Sequence, residues 1–340
     1  MTENAPAPNF DHLLRMTDRQ GTFEHAELAE PRREHGYCTD DMARVLVVAT
    51  RQPDSTGEVN RLAGVAVRFL NDAQSFAGTC RNRMDRNGRW TDEPALEDAW
   101  GRCLWGLGTA AAHSDVGLVR RLAVVQFDRA AVVRSPWPRA MAFAGLGAAE
   151  MLRVDPGNAK ARALLADAAA AVGAFRADLP WPWPEPRLTY ANAVLPDVLL
   201  AAGDSLHDDR LVGRGLEMLG WLVELQCGPD HLSLTPAAGW VAGEPWPGFD
   251  QQPIEAATLA DACARAFDLT GDARWSDVVE LAAAWFQGRN DSATPLVDRV
   301  DAGCCDGLEL HGRNENQGAE STLALVTTTQ HATRLAGSRS

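Results

Sequence analysis

Several features that assign proteins to common classes are missing from this sequence. The chain of 340 residues contains no apolar run of about eighteen residues, the length that a membrane-spanning helix requires. The first ten residues, MTENAPAPNF, contain neither the basic nor the apolar region of a secretory signal. We therefore expect a cytoplasmic protein that does not bind a membrane.

Positive charge is scarce as well. Lysine occurs once, at Lys160, and the formal net charge is −14. Binding to a nucleic acid or to an anionic membrane depends on clustered cations, and the sequence has no such cluster. The charge pattern therefore excludes a nucleic-acid partner and favours a neutral substrate.

Metal and cofactor motifs are also missing. Seven cysteines, an odd number without an export signal, favour reduced thiols over a disulfide framework. Cys304 and Cys305 near His311 lack the paired spacing of a zinc site, and Asp40–Arg44 is not an aspartate-rich magnesium motif. No glycine loop could hold a phosphate. The sequence therefore predicts neither a metal nor another cofactor.

One pattern recurs along the chain. In the stretch from Phe249 to Trp275, a polar cluster is followed by Pro253 and by a helix of small and apolar residues that stops at Gly271. Such a helix is too apolar to face water, so we expect it to be buried with its start at a polar site. The pattern occurs six times, about 55 residues apart, as in repeated supersecondary units. The six polar starts are His35–Asp41, Leu96–Asp98, Ser135–Arg139, Leu188–Asn192, Phe249–Gln252 and Asn314–Glu320.

Amphipathic helices alternate with the six buried ones. Buried helices suit an inner ring that is covered on all sides, and amphipathic helices suit an outer ring with one face towards water. The alternation therefore predicts one all-α domain over residues 1–340, an (α/α)6 toroid of six helical hairpins. Because each helical hairpin is antiparallel, every inner helix is expected to start at the same end of the toroid. The long loops and the small β-hairpins, such as the one predicted at Asn87-Gly88, are expected at that end too. Residues 1–8 are predicted to be disordered. The predicted inner helices begin near residues 41, 97, 139, 193, 253 and 321, and the outer ones span 58–71, 115–131, 158–177, 208–226 and 272–287.

This alternation resembles the (α/α)6 toroid of the six-hairpin glycosidase superfamily over essentially the whole chain. The phrases HGYCTDDMAR, LEDAWGRCLWGLG, LTYANAVLPDVLLAAG, FDQQPIEAA and NENQGAEST are also similar to those of bacterial proteins found beside glycosyltransferases. The resemblance implies carbohydrate chemistry in a central cleft, with a glycosyltransferase as a candidate partner. It does not supply a catalytic pair, because families on this fold place their acids on different helices.

Carboxylates at the predicted cleft are the candidates for catalysis. Glycoside hydrolysis needs one protonated acid and one ionised base or nucleophile. We select Asp41, Asp98, Glu185 and Glu255 as the predicted catalytic residues. Glu185 lies between prolines beside tryptophans, an apolar setting that raises a carboxyl pKa and suits a general acid. Glu255 lies about one turn into an inner helix, from which its side chain reaches towards the axis.

Two pairs of consecutive acids lie at predicted starts of inner helices. Adjacent side chains on a helix diverge by about 100°, so one member each of Asp40–Asp41 and Glu97–Asp98 is expected to face the cleft. The structural alternative is that Asp41 and Asp98 form helix ion pairs with Arg44 and Arg102.

Aromatic, amide and charged side chains at the same starts are predicted to bind substrate. Aromatic faces cover the C–H surfaces of sugars, and amides both donate to and accept from hydroxyls. The structural alternative is that the aromatic rings pack within the loops and that the amides form hydrogen bonds in loops and at helix ends. Tryptophans in or near the starts are Trp100, Trp137, Trp181, Trp183, Trp240 and Trp246. The predicted substrate-binding residues are His35, Tyr37, Arg102, Arg139, Trp183, Tyr190, Asn192, Asp250, Gln251, Gln252, Asp306, Asn316, Gln317 and Glu320.

Three functions are consistent with this pattern. The favoured one is a glycoside hydrolase acting on a neutral oligosaccharide or glycoconjugate. A sugar epimerase or isomerase would use His35 and His311 as proton shuttles. A non-catalytic module would use the same cleft to bind a glycan or a partner glycosyltransferase. The sugar, its linkage and the oligomeric state are left open by the sequence.

Overall fold

The computed structural model describes residues 7–228 and 230–338, so most of the segment predicted to be disordered lies outside it. The described residues form twelve α-helices and three two-stranded antiparallel sheets. The helices are α1 (Asp11–Arg15), α2 (Thr39–Arg51), α3 (Gly57–Ala73), α4 (Asp98–His113), α5 (Gly117–Ala130), α6 (Pro138–Val154), α7 (Ala159–Ala171), α8 (Val194–Leu206), α9 (Asp209–Gln226), α10 (Pro253–Thr270), α11 (Ala273–Phe286) and α12 (Ala319–Ser338). The strands are β1 (Ala26–Glu27), β2 (Glu30–Pro31), β3 (Tyr37–Cys38), β4 (Arg83–Met84), β5 (Gly307–Glu309) and β6 (Gly312–Asn314), paired β1–β2, β3–β4 and β5–β6.

Six helices form a closed inner ring. α2, α4, α6, α8, α10 and α12 each pack against the next, and α12 packs against α2. α3, α5, α7, α9 and α11 pack outside the ring, and α1 completes the outer layer against α3 and α12. The predicted (α/α)6 toroid is confirmed, and every inner helix begins within two residues of its predicted start. α7 ends at Ala171, before the predicted end at residue 177, because the backbone of Val172 is extended, and Gly173 then passes close to Pro184.

Glycine allows two inner helices to touch backbone to backbone. A Cβ atom added at Gly101 would lie 2.2 Å from the carbonyl oxygen of Ala140, and one at Gly147 would lie 2.1 Å from that of Leu104. At Gly108 the added atom would lie 2.0 Å from the carbonyl oxygen of Gly147. Any larger residue would force α4 and α6 apart, so the glycines are retained despite a helix-propensity cost of about 1 kcal/mol each relative to alanine.

Hydrogen bonds and ion pairs link the starts of all six inner helices. Each link joins the first two turns of one helix, or the loop before it, to those of the next. In order around the ring, the linked pairs are Asp40–Arg102, Leu96–Ser135, Arg139–Asn192, Asn192–Glu255, Gln251–Leu308 and Glu320–Arg44. The six starts therefore lie at the same end of the toroid, which we call the start end.

The axis of the toroid is filled by side chains. Trp105 and Phe143 are buried with their ring centroids 5.5 Å apart. Together with Ile254 and Leu323 they line an axial cavity of only about 20 Å³, which is too small for a sugar. These four side chains therefore leave no room for a sugar between them, and a substrate would bind above or beside them.

Two further features concern the whole chain. In residues 7–228 and 230–338, no helix is both long enough and apolar enough to cross a membrane. All seven cysteines are free, and six of them are buried.

Candidate active site

An open cavity of about 360 Å³ lies at the start end, to one side of the axis. It is bounded by the first turns of α4 and α6 and by the proline-rich loop 180–192, and we call it the α4–α6 cavity. Its lining combines three carboxylates, two aromatic rings, a guanidinium and an amide. These groups belong to Glu97, Asp98, Glu185, Trp137, Tyr190, Arg139 and Asn82. Asp98, Glu185, Arg139 and Tyr190, all predicted from the sequence, are thus brought together.

Asp98 is held as a hydrogen-bond acceptor. Its Oδ2 accepts from the hydroxyl of Tyr190 at 2.5 Å and lies 3.7 Å from Nη2 of Arg102. Burial and the charge of Asp98 raise the pKa of Tyr190 above its usual value, so the phenol remains protonated and continues to donate. The carboxylate therefore has a fixed orientation at the cavity wall.

Arg139 organises the opposite wall through all three of its guanidinium nitrogens. Nε donates to the carbonyl of Tyr190 at 2.7 Å, Nη1 to Glu185 at 2.5 Å and Nη2 to the side chain of Asn192 at 3.2 Å. The second oxygen of Glu185 accepts from the indole of Trp183 at 3.4 Å. The predicted apolar setting of Glu185 is therefore wrong, because a guanidinium lies against its carboxylate.

Glu97 is the carboxylate that sequence reasoning left out of the predicted catalytic set. It is exposed, and its side chain makes no hydrogen bond or ion pair with any described residue. Glu97 is the N-cap of α4, with extended φ −94° and ψ −167°, so it lies outside the helix. The 100° divergence of helical neighbours does not apply to it, and both Glu97 and Asp98 line the cavity. The sequence contains the signal for this, because an N-cap residue lies outside the helix and its side-chain direction does not follow helical spacing.

Asp41 is buried away from the α4–α6 cavity. Its Oδ1 pairs with Nη1 of Arg44 at 2.6 Å, and its Oδ2 accepts from the thiol of Cys38 at 3.1 Å. Burial raises the pKa of Asp41 to about 7 although Arg44 acts in the opposite direction. Arg44 also pairs with Glu320 at 2.6 Å, which joins α2 to α12. This geometry favours the structural alternative for Asp41.

Glu255 is also buried, and its two oxygens are occupied. They accept from the backbone N–H groups of Ala191 and Asn192 and, at 3.0 Å, from the side-chain amide of Asn192. Burial raises the pKa of Glu255 to about 7. The carboxyl therefore holds the turn that presents Tyr190, and this geometry favours a positioning role, while a catalytic role for Glu255 stays a prediction.

Four other predicted binding residues are engaged in the interior. Tyr37 is buried and donates to Asp18 at 2.9 Å. Gln251 is buried and donates to Asp291 at 2.6 Å, and Gln317 is buried and donates to Asp298 at 3.0 Å. Asn192, described above, makes the fourth. None of these side chains is available to a substrate as it stands, so the alternative of loop and helix-end hydrogen bonding holds for them.

The remaining predicted residues lie at the start end without lining the α4–α6 cavity. Asp306 accepts from the backbone of Gly318 and the hydroxyl of Ser321, so it caps α12, and burial raises its pKa. Asn316 accepts from the backbone of Leu28. The others are Arg102, which pairs with Asp40, and the partly or fully exposed residues His35, Asp250, Gln252 and Glu320.

Five tryptophans pack against one another beneath the loops. Trp183 stacks on Trp221 with centroids 5.6 Å apart, and Trp181, Trp240 and Trp246 continue the cluster at 5.2 to 6.0 Å. The cluster anchors the loop that carries Glu185 and Tyr190. Trp183 and its neighbours therefore pack the loops, as the alternative reading held.

The two histidines named for an isomerase lie elsewhere. His35 packs edge-on against His25 at 5.1 Å and lies 3.8 Å from Glu34, and His311 is exposed between β5 and β6. All eight histidines of the chain belong to the described part, and none lines the α4–α6 cavity.

One group of side chains has the spacing of metal ligands. Ligand atoms of Glu24, Cys38 and Asp41 lie within 4.8 Å of one another. Glu24 is already paired with Arg83, and Asp41 with Arg44. Burial raises the pKa of Cys38 well above its usual value, so the thiol stays protonated. In this arrangement the group is a charge-balanced cluster of two ion pairs and a protonated thiol.

Comparisons with known proteins give the fold. No protein-family model and no curated protein matches this sequence. A cellobiose 2-epimerase from Bacillus thermoamylovorans is 10% identical, with 95% of each chain covered and a TM-score of 0.73. A sugar epimerase from a ruminal bacterium is 12% identical, with 94% of this chain and 95% of that chain covered and a TM-score of 0.72. An inactive variant of a Salegentibacter alpha-1,6-mannanase, with two consecutive aspartates changed to alanine and alpha-1,6-mannotetrose bound, is 9% identical, with 96% of each chain covered and a TM-score of 0.66.

Proposed function

We propose that this protein is a carbohydrate-active enzyme that hydrolyses glycosidic bonds of neutral glycans in the α4–α6 cavity. The observation that carries the proposal is the pair Glu97 and Asp98, two carboxylates with different surroundings in one open cavity. Hydrolysis requires that two carboxyl groups play different parts, and different surroundings allow this. Glu97, which has no protein partner in the described part, and Asp98, which Tyr190 orients, are assigned as the catalytic pair.

Neutral substrates are favoured by the charge of the cavity. Glu97, Asp98 and Glu185 outnumber the one cation of the lining, Arg139. Each nitrogen of that guanidinium already donates to protein groups. A sugar that carries a carboxylate would therefore meet like charge without an unpaired cation, and such contacts are unfavourable.

Consecutive acids also support this assignment. The mannanase variant described above is inactive with two consecutive aspartates replaced. This chain has two pairs of consecutive acids at inner-helix starts, the aspartates 40–41 and the pair Glu97–Asp98, and of the two only Glu97–Asp98 lines the cavity. Asp40 and Asp41 are neutralised by Arg102 and Arg44.

An epimerase is not favoured, although two of the compared structures are sugar epimerases. Proton transfer at a sugar carbon would need a base that titrates near neutral pH, and histidine is the usual one. His35 and His311 lie away from the cavity. A glycan-binding module without activity would have the same cavity, and the assay below separates it from an enzyme.

The test is hydrolysis of a panel of neutral glycans by single variants. Glu97→Gln and Asp98→Asn should each lower kcat by at least about 100-fold, because each removes a group that transfers a proton or carries charge in the reaction. The matched control is Glu58→Gln, an exposed acid in the first turn of α3, which should keep wild-type activity. Wild-type turnover by both cavity variants would refute the assignment. Glycan binding without turnover would favour the non-catalytic module.

Three expectations from the sequence remain proposals. The closed ring of inner helices supports a single domain. A cytoplasmic location and a glycosyltransferase partner are consistent with the sequence pattern. Co-purification of the tagged protein with a glycosyltransferase would support the partner.

A further inference from the structure

We propose that the indole of Trp137 is a stacking subsite for one pyranose ring of the substrate, next to Glu97 and Asp98. This subsite belongs to the hydrolase proposed above, although it requires only that glycans bind in the cavity. The ligand class is a neutral sugar whose C–H groups form an apolar face.

Trp137 is unusually exposed for such a large apolar side chain. Its exposed fraction is 59%, and no other tryptophan in the described part is among the exposed large hydrophobic residues. No ring or guanidinium of the described residues stacks on it, whereas the ring of Tyr190 is covered by Arg139 at 5.0 Å. An aromatic face left open in a cavity lined by polar groups is a surface on which a sugar ring can stack.

The backbone that carries Trp137 is rigid. Trp137 is the N-cap of α6, and its N–H donates to Oγ of Ser135 at 3.0 Å. Pro136 and Pro138 restrict the chain on both sides of it. A segment held in this way loses little conformational freedom when a ligand binds, which favours affinity.

The same segment is tied to the acid pair. The hydroxyl of Ser135 donates to the carbonyl of Leu96 at 2.6 Å, and Leu96 directly precedes Glu97. One hydrogen bond therefore fixes the chain bearing the indole against the chain bearing Glu97 and Asp98. A sugar ring on Trp137 would present its hydroxyls to these two carboxylates.

The substrate class follows from this combination. An indole face covers the C–H surface of a pyranose, and the carboxylates accept from its hydroxyl groups. The volume of about 360 Å³ lies in the range of small-ligand pockets. We therefore infer a short neutral glycan segment, with one ring stacked on Trp137 and the bond to be cleaved beside Glu97.

The test measures binding rather than turnover. The probes are alpha-1,6-mannotetraose and cellotetraose, titrated calorimetrically into protein carrying Glu97→Gln so that they remain intact. Adding Trp137→Ala should weaken binding of the better probe by at least about tenfold, and Trp137→Phe should restore most of the affinity. The matched control is Phe76→Ala, which removes a fully exposed ring outside the cavity and should have no effect. Circular dichroism confirms the fold of each variant.

A direct readout comes from 19F NMR of protein labelled with 5-fluorotryptophan. The resonance missing from Trp137→Phe belongs to Trp137, and it should shift when the probe is added. Binding that is unchanged in Trp137→Ala, or failure of both probes to shift this resonance, would overturn the subsite. If Trp137→Ala weakens binding while Glu97→Gln keeps wild-type turnover, the subsite stands and the catalytic assignment fails. If Glu97→Gln abolishes turnover and Trp137→Ala binds the probe normally, the catalytic assignment stands and the subsite fails.

Discussion

Tyr190 connects both walls of the α4–α6 cavity through one side chain. Its hydroxyl donates to Asp98, its ring lies under Arg139, and its carbonyl accepts from the same guanidinium. Hydrogen bonds to charged groups contribute about 1.5–3 kcal/mol, so the loss of the hydroxyl should be measurable in the reaction.

We predict that Tyr190→Phe lowers kcat/KM by about tenfold or more, because Asp98 loses the donor that orients it. The chain has a second tyrosine that serves as the control. Tyr37→Phe removes a hydroxyl bonded to Asp18, away from the cavity, and should leave kcat/KM unchanged. Equal activities of the two variants would contradict the role given to Tyr190.

A second prediction concerns the buried ion pair of Asp41 and Arg44. The pKa of Asp41 is about 7 even beside Arg44, so the carboxyl is protonated when Arg44 is removed, and Arg44→Met should lower the free energy of unfolding by about 1–3 kcal/mol through the lost hydrogen bonds. Adding Asp41→Asn should recover part of this loss, because an amide carries no charge that could be left unpaired. Urea denaturation of the two variants measures both effects. A loss below about 1 kcal/mol for Arg44→Met would show that the pair has no structural role.

Single residues also show where sequence reasoning ends. Asp98, Arg139 and Tyr190 were found because polar residues at the start of an apolar helix point to a site. Tyr37 has the same position in the pattern as Tyr190, yet it is buried against Phe23. Only the packed fold distinguishes them, since local sequence does not reveal which loop covers a side chain.

The turn formed by residues 189–192 is held in place by hydrogen bonds to a side chain of α10. Ala191 has φ of +48°, a value that residues other than glycine rarely adopt. Glu255 of α10 accepts three hydrogen bonds from this turn. A strained turn needs such support from its surroundings.

We predict that Glu255→Ala lowers the free energy of unfolding by about 2–3 kcal/mol and lowers turnover too, because the turn positions Tyr190. The control on the same helix is Asp268→Ala, which removes an exposed pair with Arg334 and should change stability by less than about 1 kcal/mol. Hydrogen exchange should accelerate at the amides of Ala191 and Asn192 only in the first variant. Unchanged exchange there would contradict the role of Glu255.

Beyond the first turns, the inner helices carry buried carboxylates with lowered pKa values. Burial alone would raise the pKa of Glu150, but the hydrogen bond and charge of His113 lower it to about 2. Burial likewise opposes ionisation of Asp261, and the charge of Arg51 and the hydrogen bond of His331 outweigh it, so its pKa is lowered. An unfolded carboxyl titrates near about pH 4, so these groups stabilise the fold above that value.

The resulting prediction is acid lability. Stability that Glu150 and Asp261 provide is fully present above about pH 5 and is lost as the pH falls towards about 2. Glu150→Gln should therefore be less stable than the wild type at pH 7, and the difference should shrink as the pH falls. Thermal denaturation from pH 7 to pH 3 measures it. A difference that is constant across this range would refute the assignment.

Elements were predicted better than loops. Polar clusters that precede apolar helices predicted the six inner starts to within two residues, because a helix start depends on local sequence. The tryptophan-rich loops were expected to face a sugar, and most of their rings bury one another. A sequence shows that rings are clustered, whereas their partners depend on how two distant loops meet.

At the scale of the whole molecule, the closed ring of helices gathers six polar starts at one end. The side chains at the axis leave little space at the centre, and the α4–α6 cavity lies to one side of it. Sequence periodicity predicted the ring and the common end of the starts. It could not predict that the cavity is off-centre, because this depends on the sizes of side chains contributed by four different helices.

The most direct test of this account is a crystal structure of the Glu97→Gln variant with a neutral oligosaccharide that the wild type cleaves. We predict a sugar ring on the indole of Trp137, with a glycosidic oxygen within hydrogen-bonding distance of residue 97 and a carboxylate oxygen of Asp98 beside the same bond. A sugar bound instead beside Arg44 and Glu320, with the α4–α6 cavity empty, would contradict it.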